Sequence, residues 1–169
     1  MRTSVFQPVL AVALVGLACK GPDDLSAGAT SFHATLTTGA EATVTPPIAD
    51  TISTNAAGTA TFTVAPGDSV DFTLTISSAF PDSILFAHIH LGAAGVAGGV
   101  RLNLCGTGGG LPLCPAHSGT LSGRRTVVAG GITFAALLAA MRSFGAYANV
   151  HGSTHGGGEI RGQIIPDAP

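Results

Sequence analysis

The chain has 169 residues, a formal net charge of −2, no tryptophan and only 9% charged residues. It carries no basic patch, so nucleic acid is not an expected partner. Without its N-terminal segment, about 150 residues remain, the size of one domain.

Arg2 followed by the apolar stretch 9–18 is too short to span a bilayer. Residues 1–18 therefore read as a cleaved secretory signal. The segment ends on Gly16-Leu17-Ala18-Cys19, which resembles the bacterial lipobox, although Gly16 stands where that motif prefers leucine. Cys19 is then the expected lipidation site and mature N-terminus, with residues 19–30 as a tether to a membrane of the cell envelope. Plain secretion is the alternative. Losing Arg2 leaves six basic against nine acidic side chains, a net of −3.

The next segments alternate. Apolar and polar residues exchange every position over 32–38, 59–64 and 70–76, the period of a half-buried strand. Ala65-Pro66-Gly67-Asp68 reads as the turn of a hairpin joining the last two. Further strands are expected at 85–91, 100–104, 147–151 and 159–164. Between the last pair of cysteines, Cys105 and Cys114, lies Gly-Thr-Gly-Gly-Gly-Leu-Pro-Leu. An oxidising compartment would pair them, a closure worth roughly 2–3 kcal/mol. A metal-binding cysteine pair ranks second, because the spacing does not suit a zinc knuckle. One segment breaks the strand pattern. Residues 133–144 are helix formers with Thr133 as N-cap, a stripe of Leu137, Leu138 and Met141, and Gly145 as the stop. The whole pattern predicts a mainly β chain, an antiparallel two-sheet sandwich with one short helix, ending in a frayed 166–169.

Four of the six histidines fall in two clusters, Ala87-His88-Ile89-His90 and Asn149-Val150-His151-Gly152-Ser153-Thr154-His155. On a strand His88 and His90 point the same way, about 7 Å apart. Tyr147, Asn149 and His151 likewise share a face. Neutral imidazoles suit copper or zinc, so His88, His90, His151 and His155 are candidate ligands converging at one end of the sandwich. Glu159 is a further candidate, as ligand or as a group orienting a ring. The competing reading has these imidazoles fixing loops through bonds to backbone, to Glu159 or to one another. Glu159 and Arg161 read as a rim ion pair of small net value. His33 and His117 read as surface residues, and Gly152 and Gly156 to Gly158 as turn residues.

Several pieces occur together in order: FHATLTTGAEATVTPP (32–47), GTATFTV (58–64), DFTLTIS (71–77), AHIHLGAAGVAGGV (87–100), ITFAALLAAMRSFGAYANVH (132–151) and HGGGEIRGQI (155–164). On these the chain resembles the CHRD domain family, as a bacterial exported lipoprotein member, over roughly 31–165. The 105–114 insertion, Arg124-Arg125 and the glycine triplet depart from the family pattern. The resemblance implies an immunoglobulin-like sandwich with a faint similarity to Cu/Zn superoxide dismutase, which also carries His-x-His on a strand. In chordin such domains belong to an extracellular protein binder. The expected function is an extracytoplasmic, lipid-anchored binding module carrying a histidine-coordinated metal ion, its partners being the membrane and a protein or metal ligand. A small copper- or zinc-binding or metal-delivery protein is the alternative. A dismutase-like enzyme ranks last: its bridging histidine, zinc-ligand aspartate and channel arginine have no motif match. No Gly-x-Ser-x-Gly, nucleotide loop or close carboxylate pair is present, and no catalytic residue is assigned.

Overall fold

Alternation in the first segment becomes strand β1 (Ser31–Thr37), with Phe32, Ala34 and Leu36 buried and His33, Thr35 and Thr37 exposed. The structure is a computed structural model that describes residues 28–42, 52, 54–77, 80–126 and 128–168. The signal segment, Cys19, tether residues 19–27 and Pro46-Pro47 lie outside the described residues. A short helix α1 (Thr38–Ala42) follows β1. Strands β2 (Ala57–Ala65) and β3 (Ser69–Ile76) form the expected hairpin, paired from Gly58 with Ile76 to Ala65 with Ser69. Gly67 and Asp68 take positive φ in its turn. The remaining elements are β4 (Ile84–Leu91), β5 (Val100–Gly106), β6 (Gly119–Arg125), α2 (Phe134–Arg142), β7 (Ala146–Gly152), β8 (Ile160–Gln163) and β9 (Ile165–Pro166).

All pairings are antiparallel, in the order β5-β4-β7-β8-β1-β2-β3-β6, with β9 against β1. The sheet curls until its two edges meet, where the Arg125 guanidinium donates to the Leu104 carbonyl at 2.9 and 3.2 Å. The two layers expected of a sandwich are thus two halves of one nearly closed sheet. They enclose Phe32, Leu36, Phe62, Leu74, Ile89, Leu102, Leu104 and Ile160. Helix α2 closes one end with Leu137 and Met141. Its Thr133 cap accepts from Ala136 N at 3.1 Å. Cys105 and Cys114 are joined as a disulfide.

Several details differ from expectation. Ala29 is buried, its carbonyl accepting from Arg142 at 3.0 Å, so residues read as tether already pack on the domain. Asp167 bonds Ser31 through its backbone and His33 through its side chain, so the C-terminal segment is held rather than frayed. Strand β6 was not expected because GTLSGRR lacks an apolar face, as suits an edge strand. Thr38 starts a helix instead of ending a strand. Among the described residues no helix is long and apolar enough to cross a membrane.

Candidate metal centre

Ala87 and Ile89 of β4 point into the core and are fully buried, which turns Phe86, His88 and His90 to the outer face. Strand β7 runs beside it with His151 opposite Phe86, Asn149 opposite His88 and Tyr147 opposite His90. The three imidazoles therefore gather on one patch. Their ring centroids lie 5.0 Å apart for His88 and His151, 5.6 Å for His88 and His90, and 5.7 Å for His90 and His151. One ring nitrogen from each falls within 4.8 Å of the other two.

Every residue of β7 is buried, although only one of its faces meets the core. Two glycine-rich loops cover the other face, and each orients one ring. His90 Nδ1 lies 2.9 Å from the Gly98 carbonyl, and His151 Nδ1 lies 3.0 Å from the Gly156 carbonyl. A carbonyl only accepts, so both Nδ1 atoms carry the proton and both Nε2 atoms keep a lone pair. Among the described residues those Nε2 atoms are buried without a partner, as is His88 Nδ1. Burial pushes His88 down to about 3, helped by His151 and His90. It pushes His151 down to about 4 against the Gly156 bond, with His90 assisting. His90 is also lowered, by burial first, against the Gly98 bond and with the charges of Arg161 and Arg101. Three neutral imidazoles with unused lone pairs have the chemistry to coordinate a metal ion. Left unmade, each such bond costs about 1–3 kcal/mol.

His155 does not join them. The bend after Gly152 carries it to Glu159, whose other oxygen accepts from the Thr54 hydroxyl. Glu159 is fully buried and occupied by these two partners, so neither residue belongs to the cluster. The expected rim pair of Glu159 and Arg161 is corrected as well, since Arg161 is 3% exposed and turns elsewhere. Its guanidinium lies 3.4 Å from the Tyr147 ring centre and donates to the Val96 carbonyl at 2.9 Å. Tyr147 in turn stacks on His90, 4.9 Å between centroids and 11° between planes. Glu41 of α1 sits nearby; burial raises it to about 7, against Arg161 and Asn149. Gly158 is required here, because a Cβ on it would fall 2.5 Å from Asn149 and 2.8 Å from Glu41.

The protein-family model described as CHRD domain matches residues 32–164. The chain belongs to the CHRD domain family. No curated protein and no solved structure matches it. In this CHRD domain the matched span contains all three clustered histidines and both orienting loops. His33 and His117 lie at the surface, as read from the sequence. Sequence reasoning missed Arg161, Glu41 and the two carbonyls. For Arg161 a signal existed: it lies opposite Asn149, on the face already assigned to Tyr147 and His151. The glycines of Gly92–Gly99 and 156–158 marked loops, but which carbonyl meets which ring depends on folding back across the sheet.

Proposed function

We propose that this CHRD domain is an extracytoplasmic binding module that holds a copper or zinc ion on His88, His90 and His151. The observation that carries the reading is three histidines with ring nitrogens within 4.8 Å of one another, each ring also having a buried nitrogen without a partner among the described residues. Two of the rings are also oriented through their second nitrogen by a backbone carbonyl, the outer support that metal-ligating histidines use. Three imidazoles leave a fourth position open on zinc, which suits carriage and exchange. Export is supported by the disulfide, a bond kept in oxidising compartments. Attachment through a lipid on Cys19 completes the proposal, and Cys19→Ser tests it by moving the protein from the membrane to the soluble fraction.

The metal reading is tested by calorimetric titration of chelator-treated protein. Wild type and His155→Ala bind one ion per chain, while His88→Ala and His151→Ala bind none and keep their β-type circular dichroism. Equal binding by all four proteins would place the ion elsewhere.

A further inference from the structure

We infer that the three-histidine centre selects a monovalent copper ion, Cu(I), over divalent ions, because the fixed charge arranged around it is positive. The inference rests on the metal reading above and adds the charge of the ion. Among the described residues no carboxylate joins the ligand cluster, so these ligands bring no negative charge. Arg161, Tyr147 and His90 form a column, guanidinium on phenol ring and phenol ring on imidazole. Arg101 donates to the Val100 carbonyl at 3.1 Å and, among the described residues, its buried Nε has no partner. Both guanidiniums act electrostatically on His90. Among the described residues neither lies in an ion pair. Glu41, the carboxyl that acts on Arg161, is kept partly protonated near neutral pH by burial.

A dication feels twice the repulsion that a monocation feels from each guanidinium, and its desolvation is harder. One unit charge about 10 Å away, at an effective dielectric near 20, changes the divalent-to-monovalent preference roughly tenfold.

The test is anaerobic competition titration of the full mature chain, with Cu(I) against a chromophoric Cu(I) chelator and with Zn(II) against a zinc chelator. The expected result is Cu(I) bound more tightly than zinc, the two guanidiniums together contributing about a hundredfold of that ratio at roughly tenfold each. Arg161→Gln should narrow that ratio about tenfold, and Arg161→Lys, which keeps the charge, should preserve it. Arg101→Gln should narrow it too, and serves if the buried Arg161 variants do not fold. Zinc bound as tightly as Cu(I), or a ratio unmoved in the glutamine variants, overturns the charge selection and leaves the metal site standing. Binding of neither ion overturns both.

Discussion

Among the described residues His88 Nδ1, His90 Nε2 and His151 Nε2 are buried ring nitrogens without a hydrogen-bond partner, and this governs how the apoprotein answers to substitution and acid. A ring kept for a ligand is a burden without one. His88→Leu should therefore raise the stability of metal-free protein by about 1 kcal/mol while abolishing binding. Thermal melts after chelation check this; a large loss of stability would mark the ring as a structural member. Acid acts with a definite sign. His88 and His151 fall from 6.5 to about 3 and about 4, so the unfolded chain takes up protons first. Their contribution is complete above about 6.5 and is lost as pH falls toward 4. Glu41, raised from 4.5 to about 7, works in the opposite sense between those values and is silent below 4.5. His151→Gln should flatten the decline of unfolding free energy between pH 6.5 and 4, measured by denaturant titration. A curve parallel to wild type would contradict the assignment. At this scale the sequence made His88, His90 and His151 legible, because strand period alone fixes which side chains share a face. It misassigned His155, whose destination depends on a bend that glycine leaves free, and Glu159, whose burial depends on Thr54 more than a hundred positions away in the chain.

Helix α2 shows what local rules deliver at the scale of an element. Its start is legible from Thr133, and its stop is displaced by one residue. Phe144, not Gly145, takes the left-handed conformation at φ 57°, while Gly145 N donates to Ala140 O at 2.8 Å to close the Schellman turn. A phenylalanine there is strained and half exposed. Phe144→Gly should stabilise the domain by about 1 kcal/mol, read as a higher denaturation midpoint with an unchanged slope; no gain would mean that the ring makes contacts that offset the strain. Strands with an apolar face were legible for the same reason as the histidines. β6 and β9 were not, because an edge strand and a two-residue strand earn their place from the neighbours they pair with. The orienting loops also belong to this scale. Gly98 lies so close to Leu91 that any side chain would collide with its carbonyl, and this approach sets the Gly98 oxygen against His90.

In the whole molecule the curled sheet sets β4 and β7 side by side, one strand in from the β5 edge, and leaves the loops of both ends to roof their outer face. The mainly β class and the antiparallel layers were legible; the closure of two layers into one sheet was not, since it depends on Arg125 reaching Leu104 across the edge. The disulfide sits by that edge. Cys105 is fully buried, and the segment beyond Cys114 bonds back to Phe80 and Ile84 through His117 and Ala116. Replacing both cysteines by serine should lower stability by roughly 2–3 kcal/mol, because the closed loop is short, without changing the metal stoichiometry; loss of binding in a folded variant would show that the bridge shapes the site. X-ray absorption spectroscopy of the metal-loaded protein reads whether one ion is held by three imidazoles on the outer face of β4 and β7. Zinc-loaded protein should show a nitrogen shell at about 2.0–2.1 Å with the multiple scattering of three imidazoles; an all-oxygen shell, or a sample that retains no ion, would overturn the proposed site.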